Sequence, residues 1–397
     1  MKYLVLVPDG AADYPLACLG GQTPLAAART PHLDRLAREG RGGLVQIIPP
    51  DRHPGSDIGN LEIFGYDSRV HYTGRAPLEA ASMGIDLGPE DIAFRCNLIH
   101  RDGDTLVDYS AGHISTAEGV ALIRLVAAAL EREGIRLYPG VAYRHILVWR
   151  GGPEAVEAYP PHDIMGQSIA AHLPRGEGAE DVRRLMAAAG PVLEGAAVNA
   201  RRLAAGHRTG NAIWLWGSGR ALVLPSLEAR HGLRGGVISA VDLVRGIGRA
   251  AGLEVIEVPG ITGYLDTNYA GKAAYALAAL DHLDFVYVHV EAPDEAGHNA
   301  DAGAKVQALE DFDGQVVGPI LDGLARRGEP CRILVTPDHR TPIAVRTHTR
   351  EPVPFVLWGE GVESDGMSHY TETGAEAGSL HLEHGHELVE HLVGRRP

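Results

Sequence analysis

Short, almost continuous apolar runs alternate with longer segments of helical pattern along this chain. The clearest runs are Tyr3–Val7, Phe285–Val290 and Arg332–Val335, each rich in Val, Ile or Leu. Continuous runs of this kind are typical of strands in a parallel sheet, because helices cover both faces of such a sheet. The alternation therefore predicts the α/β class, with a mostly parallel sheet flanked by helices.

Further elements follow from the same patterns. Three more runs are predicted as strands: Ile146–Trp149, Val255–Val258 and Val353–Trp358. Helical spacing predicts the helices Pro31–Glu39, Thr116–Glu133, Ser239–Ala251, Lys272–Leu280 and Ala302–Ala325. In the first of these, Thr30 suits the N-cap, Pro31 the first helical position and Gly40 the end.

The middle of the chain differs from its two ends. From about residue 88 to 228 it is interrupted by Gly and Pro, and it carries strands and a helix of its own. A chain of 397 residues is long enough for two or three domains. We therefore predict a discontinuous catalytic domain of residues 1–87 and 229–397, interrupted by a smaller inserted α/β cap domain of residues 88–228.

Composition excludes several classes of protein. The net charge of −15 disfavours nucleic acid and anionic lipid as partners. No apolar run approaches the ~18 residues of a membrane span. The three cysteines, Cys18, Cys96 and Cys331, are far apart and in no metal-binding spacing, which fits a reducing cytoplasm. Oligomeric state does not follow from the sequence.

Lysine is rare in this chain. Of the 36 Lys and Arg residues, only Lys2, Lys272 and Lys305 are lysine. A chain that uses Arg almost everywhere keeps Lys where a compact ammonium is required. Lys272 and Lys305 are therefore candidates for special roles.

Acidic, hydroxyl and imidazole side chains follow the ends of the predicted strands. They are Asp9, Ser56 in the segment HPGSDIGN, Asp294 and His298 four residues apart, Asp338 and His339, and His348. In open parallel sheets, sites form beyond the carboxyl ends of strands, so these loops are expected to converge.

Carboxylates and imidazoles are ligands that divalent transition metals accept. One set is Asp294, His298 and His348; the other is Asp9, Asp338 and His339. Two such sets predict a pair of metal ions, an arrangement that stabilises both sides of a phosphoryl displacement.

Ser56 is the predicted nucleophile of this site. Metal coordination is one way to activate a serine hydroxyl, and a position at a helix N-terminus adds backbone N–H groups that face an arriving phosphate. Lys272, in the segment DTNYAGK, would add positive charge near the phosphate oxygens.

The chain resembles the cofactor-independent phosphoglycerate mutases of the archaeal type, in the alkaline phosphatase superfamily. The matching segments run over nearly its whole length and include LVPDGAAD, PGSDIGNLEIFGYD, DIAFRCNLI, YRHILVW, PPHDIMGQ, NAIWLWG, GYLDTNYAGKA, HVEAPDEAGH and PDHRTPIAVRTHT. The resemblance implies an alkaline-phosphatase-like sheet and a cap domain that orients the substrate.

The resemblance also implies roles for individual residues. Ser56 corresponds to the serine that is transiently phosphorylated and Lys272 to the lysine that neutralises the transferring group. The first metal is implied to be held by Asp294, His298 and His348, and the second by Asp9, Ser56, Asp338 and His339. Mn²⁺ is the expected ion, with Mg²⁺, Co²⁺ or Zn²⁺ as alternatives, and no 2,3-bisphosphoglycerate is required.

In the cap, the matching segments offer groups for substrate binding and acid–base chemistry. They are Arg95, Asn97, Arg144, His145, His162 and Asp163. Arg suits the glycerate carboxylate, because its planar fork pairs with a carboxylate through two hydrogen bonds. The general acid or base is His145, His162 or Asp163, and the sequence does not decide among them.

The implied reaction interconverts 2-phosphoglycerate and 3-phosphoglycerate, a step of glycolysis and gluconeogenesis, on a small anionic substrate. Two alternatives share the same residues: a homoserine kinase-like phosphotransferase, which the segment DHRTPIAVRTHTREPVPF also resembles, and a metal-dependent phosphatase. No Walker loop surrounds Lys272, which disfavours an ordinary nucleotide site.

Overall fold

The structure, a computed structural model, describes residues 1–131 and 134–395. It divides into two compact units. The first comprises Met1–Tyr72 and Val223–Pro397, of which residues up to 395 are described, and the second comprises Thr73–Leu222. The first unit is therefore discontinuous in sequence.

The strands are numbered in chain order. They are β1 (Lys2–Pro8), β2 (Arg41–Val45), β3 (Asp91–Asp102), β4 (Thr105–Asp108), β5 (Ile135–Tyr138), β6 (Arg144–Arg150), β7 (Val156–Glu157), β8 (Arg175–Gly176), β9 (Ala212–Arg220), β10 (Gly235–Ile238), β11 (Glu254–Val255), β12 (Phe285–Val290), β13 (Cys331–Val335) and β14 (Val353–Gly359).

The α-helices follow the same convention. They are α1 (Pro24–Ala27), α2 (Pro31–Glu39), α3 (Ser56–Ile63), α4 (Ser68–His71), α5 (Arg75–Ser82), α6 (Thr116–Leu130), α7 (Ala179–Glu194), α8 (Ala197–Ala204), α9 (Leu227–His231), α10 (Asp242–Ala250), α11 (Tyr269–Ala279), α12 (Ala292–His298), α13 (Ala302–Phe312), α14 (Gly318–Arg327), α15 (Glu372–Glu376) and α16 (Leu388–Leu392). A π-helical turn, Asp313–Val317, joins α13 to α14.

Within the described ranges, the first unit holds a seven-stranded sheet in the order β11-β10-β12-β1-β13-β14-β2. The five strands from β11 to β13 are parallel, whereas β14 runs antiparallel to both of its neighbours. The side chains of Leu4–Val7 have no exposed surface. Helices thus cover both faces of the centre, and the predicted α/β class with a mostly parallel sheet is confirmed.

The second unit is built on β3. This strand pairs antiparallel with β6, β9 and β4, and β5 extends the sheet beyond β6. Helices α6 and α7 cover an apolar core that includes Leu122, Val126, Leu185 and Trp214. The unit therefore has its own hydrophobic core, as an α/β domain requires.

The boundaries of the two units differ from the predicted 88 and 228. Helix α5 belongs to the second unit, because Ala76 and Ala80 pack in a buried cluster with Ala93, Ile146 and Val148. The small residues of α5 let it lie close to β3 and β6. The Gly/Pro-rich composition that marked the insertion begins only after this helix.

Two predicted helices begin three residues away from the predicted start, α10 at Asp242 and α11 at Tyr269. Most predicted strands of the first unit have the expected limits to within one residue. Val255–Val258 is an exception, because β11 ends at Val255. In the second unit, the predicted helix Thr116–Glu133 ends at Leu130, and residues 132 and 133 lie outside the described ranges.

In the part of the chain that the structure describes, no helix has the length and apolar character needed to cross a membrane.

The N-terminus of α2 is capped in an unexpected way. Thr30 occupies the N-cap position but makes no capping hydrogen bond with its side chain. Instead, the buried carboxylate of Asp313, in the π-helical turn, accepts from the amides of His32 and Leu33. A distant side chain therefore supplies the acceptor that local sequence assigned to Thr30.

Candidate active site

Acidic side chains meet at the carboxyl edge of the central sheet of the first unit. Strands β12, β1 and β13 lie side by side and parallel. Asp9 follows β1, Asp338 follows β13, and Asp294 lies on α12 just beyond β12. All three carboxylates are buried. The parallel topology therefore brings Asp9 together with two carboxylates that lie hundreds of positions further along the chain.

The first group of side chains is Asp9, Asp338 and His339, whose potential ligand atoms all lie within 4.8 Å of one another. The Nε2 atom of His339 is 3.5 Å from Asp9 Oδ1 and 3.5 Å from Asp338 Oδ2. The amide of Gly10 donates to the other oxygen of Asp338. This group matches the second predicted ligand set.

The second group forms around Asp294. Its carboxylate lies 3.2 Å from Nε2 of His298 and 3.5 Å from Nε2 of His348, and these two imidazole nitrogens are 3.0 Å apart. His339 reaches this group as well, since Asp294, His339 and His348 also present ligand atoms within 4.8 Å of one another. The two groups are thus adjacent and meet at His339.

Ser56 lies beside both groups. It is the first residue of α3, after Gly55 at the N-cap, and its Oγ is 3.0 Å from Nε2 of His339. Helix α3 comes this close because residue 59 is glycine: a Cβ there would lie 2.6 Å from the carbonyl oxygen of Asp338. The structure therefore brings Ser56 to the Asp/His cluster.

Gly10 is a second glycine that the cluster requires. Its φ is +61°, a conformation that L side chains rarely adopt. A Cβ there would lie 2.5 Å from Thr341 Oγ1 and 2.6 Å from Asp294 Oδ1. The Asp-Gly pair after β1 thus leaves space for Asp294 to approach Asp9.

The charges of this cluster fit a divalent cation. Burial, together with Asp338 and Asp294, raises the pKa of Asp9 well above its usual range. Among the described residues, Asp9 Oδ1 is buried without a hydrogen-bond partner. A cation held by these carboxylates would offset their repulsion and satisfy that oxygen.

The histidines are also suited to metal ligation. Burial lowers the pKa of His339 to about 4, so its imidazole is neutral at pH 7 and keeps a lone pair. By contrast, the hydrogen bond to Asp294 raises the pKa of His298 to about 9. A protonated His298 places a positive charge beside Asp294. A cation bound at Asp294 would supply that positive charge in its place. Mixed carboxylate and imidazole donors are typical of Mn²⁺ and Zn²⁺ sites.

Asn60 connects Ser56 to the loop that carries Asp338, and the sequence analysis did not identify it. Its Nδ2 donates to the carbonyl of Ser56 (2.9 Å) and to Asp338 Oδ2 (2.7 Å), and its Oδ1 accepts from the hydroxyl of Tyr287 (2.7 Å). Asn60 lies four residues after Ser56 on α3. Helical spacing was a usable signal for it.

Two further residues orient side chains of the Asp/His cluster. The hydroxyl of Thr341 donates to Asp294 Oδ1, and it lies 3.2 Å from Nδ1 of His339. The carbonyl of Arg346 lies 3.0 Å from Nδ1 of His298, which directs Nε2 of that ring toward Asp294. Such outer partners fix the tautomer and orientation of metal ligands.

Lys272 is more deeply buried than expected. Its side chain has no exposed surface, and Nζ donates to the carbonyl of His289 (2.7 Å). Burial lowers the pKa of Lys272 to about 8, while Glu291 and Asp9 act in the opposite direction. A backbone carbonyl therefore holds this ammonium in place. Asp9 favours the charged form of Lys272, so its carboxylate and this ammonium attract each other.

In the second unit, three of the predicted residues lie together. Arg95 on β3 is buried, donates to Glu79 (2.9 Å) and stacks on the ring of Trp216 (4.2 Å). The indole N–H of Trp216 donates to Asn97 (3.1 Å), and the ring of His162 lies against the same indole (5.7 Å). Trp216, within NAIWLWG, thus organises the group.

The remaining predicted residues of this unit have contrasting environments. Arg144 lies beside the ring of Tyr143, and Asp163 is exposed at 3.6 Å from Nε2 of His162. His145 is 1% exposed and its Nδ1 accepts from the amide of Gly140. Burial lowers the pKa of His145 to about 3, so this residue is a neutral core histidine. The prediction of an acid–base role for His145 is therefore not supported.

Comparisons with known proteins agree with the segments found in the sequence. A family model described as 2,3-bisphosphoglycerate-independent phosphoglycerate mutase matches residues 37–199. The probable 2,3-bisphosphoglycerate-independent phosphoglycerate mutase of Geobacter sulfurreducens is 53% identical over 400 residues, with 100% of both chains covered.

Two solved structures are similar along the whole chain. The PH0037 protein from Pyrococcus horikoshii superposes with a TM-score of 0.84 at 30% identity, covering 100% of this chain and 98% of that one. The cofactor-independent phosphoglycerate mutase from Thermoplasma acidophilum gives a TM-score of 0.69 at 27% identity, with 100% of both chains covered. The chain therefore belongs to the family of 2,3-bisphosphoglycerate-independent phosphoglycerate mutases.

Proposed function

We propose that this enzyme interconverts 2-phosphoglycerate and 3-phosphoglycerate, in glycolysis and gluconeogenesis, through a phosphoserine formed on Ser56. The observation that carries the proposal is the position of Ser56: its Oγ is 3.0 Å from His339 Nε2, where the two Asp/His groups meet. Such a hydroxyl can accept a phosphoryl group and return it.

The residues that would hold two divalent cations are those predicted from the sequence. Asp294, His298 and His348 would hold one, and Asp9, Ser56, Asp338 and His339 the other. Such a pair of cations, for which we expect Mn²⁺, would lower the charge on a transferring phosphoryl group and favour ionisation of a serine hydroxyl.

The chain's own groups account for the transfer. The bond between phosphorus and the substrate oxygen breaks as Ser56 Oγ bonds to phosphorus. Ser56 gives its proton to solvent, and the departing oxygen takes one from the proposed acid–base pair, His162 and Asp163, so the protons balance. The second half repeats these changes in reverse at the other hydroxyl of glycerate. Between the two transfers, water must be excluded so that it does not hydrolyse the phosphoserine. This exclusion of water distinguishes a mutase from a phosphatase.

The second unit is proposed to bind the glycerate part of the substrate. Arg95, Asn97 and Arg144 offer donors for its carboxylate and hydroxyls. Burial lowers the pKa of Arg95 to about 10, which leaves the guanidinium charged at neutral pH. His162 and Asp163 are exposed and close together, so they are the proposed acid–base pair.

Replacement of His162 and of His145 is expected to give different results. His162→Ala should lower kcat by ~10²-fold or more, the usual contribution of a general acid or base. His145→Asn keeps an acceptor for the Gly140 amide and should leave kcat close to that of the wild type. Steady-state kinetics of both variants checks this, and a large loss of kcat only in His145→Asn would contradict the assignment.

Lys272→Met is expected to lower kcat by ~10²-fold with a smaller effect on KM. The reason is that a preorganised positive charge near Asp9 acts mainly on the charge that develops during transfer. Lys2→Met is a matched control, since Lys2 pairs with Asp284 at the opposite end of the sheet. Equal kinetics for the Lys272 variant and the control would refute the role.

Product identity tests the proposed function as a whole. Phosphorus NMR of 3-phosphoglycerate with Mn²⁺, without 2,3-bisphosphoglycerate, should show 2-phosphoglycerate and little inorganic phosphate. Phosphate release that matches substrate loss would establish a phosphatase instead. ADP formed from ATP only with homoserine, and no mutase activity, would establish the kinase alternative.

A further inference from the structure

Lys305, one of the rare lysines, forms a buried ion pair with Asp13. Neither residue belongs to the proposed metal ligands. Lys305 belongs to α13, and neither its side chain nor that of Asp13 has any exposed surface. Its Nζ donates to Asp13 Oδ2 (2.8 Å) and to the carbonyl of Thr341 (2.8 Å), and it lies 3.5 Å from the carbonyl of Ala12. One ammonium thus contacts three oxygens from two loops.

Asp13 also contacts the loop after β13. Its carboxylate accepts from the amide of Tyr14 (2.7 Å) and, with both oxygens, from the amide of Ile343 (3.1 and 3.2 Å). The Lys305–Asp13 pair therefore joins the loop after β1 to the loop after β13 through side-chain and backbone contacts.

Both loops carry residues of the Asp/His cluster. Asp9 lies four residues before Asp13, and His339 lies two residues before Thr341. The hydroxyl of Thr341 donates to Asp294 and lies beside Nδ1 of His339. A displacement of the loop at Thr341 would therefore move donors of both groups.

Stability alone does not explain this pair. Removing two charges from water costs several kcal/mol per ion, and apolar residues of similar volume often stabilise a core equally well. Lysine also suits this position better than arginine, because a compact ammonium with three donors matches three converging oxygens. The rest of the chain uses arginine almost throughout.

We propose that the Lys305–Asp13 pair is a positioning device that holds the two ligand-bearing loops at the spacing required for metal binding. The proposal rests on the two-metal site of the proposed function. It assigns neither residue as a ligand, and it predicts that the pair affects metal affinity more than folding.

The test is the double variant Lys305→Met with Asp13→Asn, in the full chain. It removes both charges together and keeps an oxygen for the Ile343 amide, so no buried charge is left unpaired. After chelator treatment, Mn²⁺ affinity is measured by calorimetric titration, and thermal unfolding is measured without metal. We expect Mn²⁺ affinity to fall by ~10- to 100-fold, as for other partners of metal ligands, with metal-free unfolding close to that of the wild type.

The control is Lys2→Met, which removes a lysine from the opposite end of β1 and should leave Mn²⁺ affinity unchanged. Unchanged affinity in the double variant, with or without a loss of stability, would overturn the positioning role. Should the double variant not fold, Asp13→Asn alone removes the counter-ion while Lys305 keeps its two carbonyl acceptors, and unchanged Mn²⁺ affinity there would also overturn the role. Failure of the wild type to bind two Mn²⁺ would instead refute the proposed function.

Discussion

Ser56→Ala is expected to lower the rate of phosphoglycerate interconversion by ~10⁴-fold or more, as for other enzymes that lose their nucleophile. The variant lacks the hydroxyl that accepts the phosphoryl group. Asp9, Asp338 and His339 remain in place, so two metal ions should still bind. An enolase-coupled assay measures the rate, and elemental analysis of the dialysed protein measures the metal content.

Ser226→Ala provides the matched control. Ser226 is also a serine at a helix N-terminus, where it accepts from the amide of Ala229. Its replacement should lower stability by about 1 kcal/mol and leave the rate unchanged. A Ser56→Ala enzyme that keeps more than about 1% of wild-type activity would contradict a nucleophilic role.

Asp294→Asn is expected to lose one of the two metal ions and to lower kcat by roughly 10³-fold, since a catalytic metal contributes several kcal/mol. The carboxylate is buried and close to two imidazoles, at 3.2 Å from His298 and 3.5 Å from His348. An amide of the same shape removes the negative charge that a cation requires. Elemental analysis after dialysis and steady-state kinetics measure both effects.

The comparison for this variant is Asp301→Asn, a few residues further along the chain. Asp301 caps α13 by accepting from the amide of Ala304, and asparagine preserves an acceptor there. Metal content and kcat should therefore stay at wild-type values. Two full metal equivalents in Asp294→Asn would show that Asp294 is not a ligand.

The sequence predicted the cluster because its residues follow strands with strong apolar patterns. Asp9 follows Leu4–Val7 after a single proline, and Asp294 and His298 lie four residues apart on one face of a helix. In a parallel sheet the carboxyl ends of strands share an edge, so convergence follows from topology alone. The structure brings these side chains together as expected.

Other features depend on tertiary contacts that local patterns reveal only in part. Asn60 and Thr341 act through hydrogen bonds to residues far along the chain. Strand β3 was not predicted, because it mixes polar residues such as Arg95 and Asn97 with apolar ones. The burial of His145 likewise depends on how β6 packs with its neighbours, so its type alone suggested chemistry that its environment opposes.

The proposed reaction requires Ser56 to carry the phosphoryl group. Peptide mapping of the enzyme after rapid acid quenching, during turnover of isotopically labelled 3-phosphoglycerate with Mn²⁺, tests this requirement. Labelled phosphate is expected on the peptide that contains Ser56, with none on that peptide in Ser56→Ala. Label confined to another residue, or rapid turnover with no labelled peptide at any quench time, would contradict it.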